Sequence, residues 1–212
     1  DRILQDKQRA LTLLQLGQGD EALDLFAAVT ARDPRDAESW FRQGGIHWER
    51  GDGPQAEKCF RRVIKLRPDL PFGHYNLALA LEQQDRLAEA IESYRTAVRL
   101  KPDFAEAIHN LALLLSLEDR FDEADQVLAK GLAQHPGHSK LTAVRAEVLE
   151  RRGDTQQAYE TLQPLLADGA PVTMEAALTL SRFCKQVGAC DKAIAMHRQI
   201  LEAGGTSLHP RE

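Results

Sequence analysis

Apolar positions along this chain of 212 residues fall at helical spacing, in short stretches separated by polar turns. Between residues 71 and 104, Leu77, Ala78 and Leu81 stand at i, i+1 and i+4, one face of a helix with 3.6 residues per turn. Ala90, Ile91, Tyr94, Ala97 and Val98 form a second amphipathic face. The polar link Gln84-Asp85-Arg86 between them is too short for anything but a tight helix–helix turn. β-branched alternation of the kind that marks strands is absent, and alanine and leucine dominate. The pattern therefore predicts helix–turn–helix units.

The pattern repeats. Prolines stand at Pro34, Pro68, Pro102 and Pro136 in thirty-four-residue steps, with Pro171 one residue late. Ala22, Ala56, Ala90, Ala124 and Ala158 keep the same step, and Ala193 follows the slip. Four positions on come Phe26, Phe60, Tyr94, Leu128, Leu162 and His197. The tetrapeptide NLAL occurs at 76–79 and again at 110–113. A fixed period between about twenty and fifty residues marks a repeat array, in which each unit buries its apolar face against its neighbours. The period divides the chain into repeats at 3–36, 37–70, 71–104 and 105–138, an irregular one at 139–173, a sixth at 174–203 and a tail at 204–212.

Local chemistry fits this division. Gly17, Gly51, Gly153 and Gly188 fall in the turns, where a left-handed residue ends the first helix. Each thirty-four-step proline ends a second helix, because the residue before it is pushed out of α geometry, and prolines so placed exclude one continuous coiled coil. Pro54 suits a helix start. Small Ala78, Ala112, Ala146 and Ala90 allow close helix approach, while Phe60 and Tyr94 fill the space between units.

The same positions resemble the tetratricopeptide repeat. Repeat 2 carries Trp40, Gly44, Ala56, Phe60 and Pro68; repeat 3 carries Leu77, Ala78, Leu81, Ala90, Tyr94, Ala97 and Pro102. The resemblance covers residues 3 to 203 and implies an all-α, right-handed superhelical solenoid of about twelve antiparallel helices. Departures are Asp6 and Arg9 in repeat 1, which give that end a polar face, and Thr142, Arg145 and Pro164 in repeat 5, where a distorted second helix is expected.

In helical projection, the first-helix positions that point away from the stack line a concave face. They give Lys7 and Leu11; Phe41, Arg42, Trp48 and Glu49; Phe72, Tyr75, Asn76, Leu79 and Glu82; and Glu106, His109, Asn110, Leu113 and Leu117. One column reads Gln8, Arg42, Asn76, Asn110, and an asparagine offers both acceptor and donors to a peptide backbone. Phe41, Trp48, Phe72, Tyr75, Leu79 and Leu113 form an apolar stripe on the same face, expected to meet solvent and mark a partner site. Some arrays of the family clamp extended peptides with an asparagine ladder; Asn76 and Asn110 match it, and Val144 ends it. The family's clamp for terminal carboxylates matches only at Lys7 and is expected to be absent.

Composition narrows the function. With 43% apolar and 28% charged residues the chain is neither disordered nor membrane-spanning in type. A net charge of −5 argues against a nucleic-acid surface. Cys59, Cys184 and Cys190 have no metal-ligand spacing and read as free thiols in a reducing, cytoplasmic setting. His135 and His138 belong to a turn, and the run Arg61, Arg62, Lys65, Arg67 reads as a solvated second-helix face. No phosphate loop or nucleophile motif occurs. The sequence thus predicts no catalytic residue, no metal and no cofactor, but a scaffold holding a protein or peptide in a concave groove. Two rivals are a non-catalytic arm of a larger transferase, to which the start at Asp1 and the ending GGTSLHPRE give the look of an excised piece, and a scaffold that self-associates through its C-terminal edge.

Overall fold

A computed structural model describes residues 2–166 together with Thr179, Arg182 and Phe183. Every regular element among the described residues is helical: α1 (Arg2–Gln15), α2 (Gly19–Arg32), α3 (Ala37–Glu49), α4 (Gly53–Leu66), α5 (Pro71–Glu82), α6 (Leu87–Leu100), α7 (Ala105–Leu117), α8 (Phe121–Gln134), α9 (Ser139–Arg152) and α10 (Thr155–Leu162). The chain forms two compact units, Asp1–Ala107 and Ile108–Glu212. In the first, each helix from α1 to α6 packs on the next; in the second, α8 packs on α9 and α9 on α10. The expectations on Pro171, Cys184, Cys190, Ala193, His197 and the C-terminal edge fall outside the described residues.

The turn inside each hairpin is the same object built five times. Gly17, Gly51, Asp85, Asp119 and Gly153 adopt positive φ. The amide of the following residue reaches back five positions: Gln18 to Leu13, Asp52 to His47, Arg86 to Leu81, Arg120 to Leu115 and Asp154 to Leu149, at 2.8–3.0 Å. This closes the helix through the left-handed C-cap motif. That same following residue offers its carbonyl to Ala22, Ala56, Ala90, Ala124 and Ala158, starting the second helix. Aspartate substitutes for glycine twice because its short polar side chain tolerates the left-handed region better than most.

Between hairpins the prolines act as expected. The residues before them, Asp33, Arg67, Lys101 and His135, have φ between −125° and −137° and cap α2, α4, α6 and α8. Two turns gain a further tie: the Trp40 indole donates to the Pro34 carbonyl at 3.2 Å, and His74 Nε2 donates to the Pro68 carbonyl at 3.0 Å. His74 is thereby a structural donor. His138 accepts from the Leu141 amide with Nδ1, capping α9.

Small residues are buried on both helices of each described hairpin. Ala10 with Ala22, Ala78 with Ala90, Ala112 with Ala124 and Ala146 with Ala158 are wholly buried, and Gly44 with Ala56 completes the series. Phe26, Phe60, Tyr94, Leu128 and Leu162 fill the core beside them. Polar departures find partners: Asp6 pairs with Arg32 at 2.6 Å, Arg145 with Asp125 at 2.6 Å, and the Thr142 hydroxyl donates to the His138 carbonyl. After Leu162 the chain tightens into a 3₁₀ turn, Gln163–Leu166. Pro164 brings this about, since it lacks an amide hydrogen and its ring crowds the preceding turn.

Candidate functional site

The first-helix face of the first unit combines apolar, amide and charged side chains. An apolar pocket of about 340 Å³ lies at the start of α3 and the turn into α5, walled by Ala37, Phe41, Leu70 and Phe72, with Glu38, Arg42 and Arg67 around it. Phe72 is exposed and leans on Phe104, ring centres 4.9 Å apart, with the Lys101 ammonium over both rings at 5.4 and 5.1 Å. One turn further along α5, Asn76 donates from Nδ2 to the Phe72 carbonyl at 2.7 Å, leaving its carbonyl oxygen and second N–H without a partner among the described residues.

The apolar stripe is less exposed than its projection implies. Phe41, Trp48, Tyr75 and Leu79 are half-buried, and only Phe72 and Leu113 reach solvent freely. Phe41 meets Phe60 edge-on at 5.8 Å, and Tyr75 packs on Tyr94 at 5.6 Å and Phe104 at 4.8 Å. Long aromatic side chains bend toward the nearest apolar volume, which a wheel projection of Cβ directions does not capture. The Trp48 indole N–H is buried and unpartnered among the described residues. In the second unit, His109 and Asn110 are half-buried on α7.

Charges on this face divide into engaged and loosely held. Lys7 bonds Glu38 at 2.8 Å and Asp36 at 3.1 Å. Burial presses the Lys7 pKa down, but these bonds outweigh it and the value lies above normal. Asp36 is likewise pushed up by burial yet held below normal by Ser39 and Lys7. Among the described residues the nearest counterions of Arg42 and Arg67 are Glu38 and Asp69, each at 3.7 Å. Of the basic run on α4, Arg61 and Arg62 are structural: Arg61 pairs with Glu57 and reaches Glu89, and Arg62 donates to the Pro34 carbonyl. Cys59 is buried, which pushes its thiol up to about 11 and removes it from thiolate chemistry at neutral pH. Among the described residues no three metal-type ligands cluster, and no helix is long and apolar enough to cross a membrane.

Glu82, at the far end of α5, has a raised pKa, mainly through burial and partly offset by the bond from Tyr94. Its folded form holds a proton more tightly than the unfolded chain, so stability falls as pH rises from 4.5 through the raised value. Glu82→Gln is expected to raise Tm at pH 7 and to lose that advantage below pH 4.5, as read by thermal melts at both pH values. An equal gain at both would assign the effect to something other than ionisation.

Models of the tetratricopeptide repeat match residues 7–71 and 46–105, 80–148, and 141–164. The curated mouse protein O-mannosyl-transferase TMTC1 is 33% identical over 73 residues, which are 34% of this chain but 8% of that protein's length. Among solved structures, Pseudomonas aeruginosa pilF superposes with a TM-score of 0.72 at 19% identity, covering 95% of this chain and 91% of its own. YrrB, described as a repeat protein of the same kind with an unusual peptide-binding site, gives 0.67 at 20% identity, covering 81% and 88%. At these identities the structures share the fold. With hairpins of one design and family matches running from residue 7 to residue 164, the chain belongs to the tetratricopeptide-repeat family.

Proposed function

We propose that the chain is a protein-interaction scaffold whose first unit holds an extended peptide or protein segment against the first-helix face. The observation that carries this reading is the pocket walled by Phe41, Leu70 and Phe72 beside an asparagine with bonding capacity to spare. An apolar side chain of the partner enters the pocket, and the free oxygen and N–H of Asn76 bond its backbone. Asn110, at the matching position of α7, is assigned a contact to the partner's backbone in the second unit. Lys7 acts through its ion pairs, orienting Glu38. Tyr75, Leu79 and Trp48 supply the partly covered floor, and His109 and Leu113 their counterparts on α7.

Peptides selected from a displayed random library on the intact chain provide the test. Asn76→Ala and Asn110→Ala are each expected to weaken the selected peptides by about 0.5–1.5 kcal/mol, the value of one neutral hydrogen bond. The denaturant midpoint of Asn76→Ala should stay unchanged, because the bond Asn76 makes is at the surface. Peptides that bind both variants and Phe72→Ala as tightly as the parent would remove the reading.

A second reading makes this array the non-catalytic arm of a larger transferase, and the short match to the mannosyl-transferase favours it. The full reading frame of the gene decides: a transferase domain in the same chain supports the arm, and its absence discards it.

A further inference from the structure

Resting on the groove reading, we infer that the pocket at the start of α3 selects a segment in which an apolar side chain is followed by carboxylates. The apolar walls set the first requirement, since Ala37, Phe41, Leu70 and Phe72 offer no polar side chain to an entering group. Charge sets the second. Glu38, Arg42 and Arg67 line the pocket; Lys7, which also holds Asp36, pairs with Glu38, Asp69 with Arg67, and Lys101 lies over the Phe72 ring.

These groups are not evenly matched. Lys7 sits 2.8 Å from Glu38 and 3.1 Å from Asp36, so both carboxylates nearest the pocket are already engaged. Arg42 reaches Glu38 only at 3.7 Å, and Arg67 reaches Asp69 only at 3.7 Å. Asp69 is 76% exposed, so water screens most of its pull on Arg67. Lys101 stands over the Phe72 ring, at the edge of the pocket, with no carboxylate partner among the described residues. Three cations thus border an apolar pocket with their donors largely unused, although the chain as a whole carries −5. A guanidinium presents a planar fork that fits a carboxylate in two parallel bonds. A basic segment would instead face three like charges.

Short glycine–serine host peptides carrying Leu-Asp-Asp, Ala-Asp-Asp, Leu-Asn-Asn or Leu-Lys-Lys, titrated into the isotopically labelled chain, test this by NMR shifts at Phe41, Leu70 and Phe72. Leu-Asp-Asp should bind tightest. Replacing its leucine by alanine, or its aspartates by asparagine, should weaken it about fivefold or more, and Leu-Lys-Lys should be weakest. Arg42→Gln and Arg67→Gln should each weaken Leu-Asp-Asp about fivefold while leaving Leu-Asn-Asn unchanged. Binding of Leu-Asn-Asn or Leu-Lys-Lys as tight as Leu-Asp-Asp overturns the acidic selectivity and leaves the groove reading standing. If no peptide moves the pocket resonances, the groove reading falls with it.

Discussion

Phe60→Ala is expected to lower the stability of the folded chain by about 3–5 kcal/mol, seen as a lower denaturant midpoint at unchanged slope. Phe60 is 1% exposed and is packed within the hairpin α3–α4. Its ring lies so near Gly44 that a methyl group there would come within 2.7–2.9 Å of three ring atoms. Phe41 also meets the ring edge-on. Removing the ring opens a cavity that backbone at a glycine contact cannot collapse to fill. The converse change makes the same point. Gly44→Ala gains about 1 kcal/mol of helix propensity but overpacks the ring by about 1–3 kcal/mol, so a net loss is expected. In a Phe60→Leu background the alanine should be tolerated better, because the two sites are in contact and their effects do not add. Leu16→Ala, at a residue 69% exposed, serves as the control and should stay within about 0.5 kcal/mol. A Phe60→Ala loss no larger than that of the control would show that this contact does not hold the hairpin.

Overpacking the next hairpin should have the second largest effect. Ala90→Leu is expected to lower stability by about 1–3 kcal/mol. Ala90 and Ala78 are both wholly buried where α5 crosses α6, and Tyr94 occupies the volume one turn on. A leucine at 90 has no direction in which to extend without displacing that ring or parting the helices. Ala88 is exposed on the opposite side of α6. Ala88→Leu should therefore leave the midpoint nearly unchanged. In the second unit Ala124→Leu repeats the test at an equally buried residue. If Ala90→Leu and Ala88→Leu behave alike, the register of α6 against α5 is wrong.

The helices, their turns and their crossings were legible in the residues because each is a local matter. Apolar spacing sets which face of a helix is buried, proline forbids α geometry just before it, and a residue at positive φ must be glycine or a tolerant substitute. All three recur every thirty-four residues, so each copy reinforces the others. Even the two turns without glycine could be placed from their neighbours, although only the backbone showed that Asp85 and Asp119 take the left-handed conformation themselves.

The candidate site was legible only in part. Helix position put Phe41, Arg42, Phe72, Tyr75 and Asn76 on one face, but it could not say how deep each side chain would sink. Phe41 and Tyr75 turn toward Phe60 and Tyr94, because an aromatic ring reaches past its own Cβ direction to the nearest apolar volume. Leu70 and Arg67 were missed as pocket residues since they belong to the turn before α5, whose path depends on how α4 docks. Lys7 showed as a candidate ligand contact; its engagement with Asp36 and Glu38, about thirty residues away in sequence, depends on α1 lying beside the start of α3. The sequence by itself determined what repeats: helix, turn, small residue at the crossing, large residue in the core. Tertiary structure alone decided which cations keep their donors free and which aromatic stays exposed, because ion pairing and burial are set by distances between segments that no periodicity encodes.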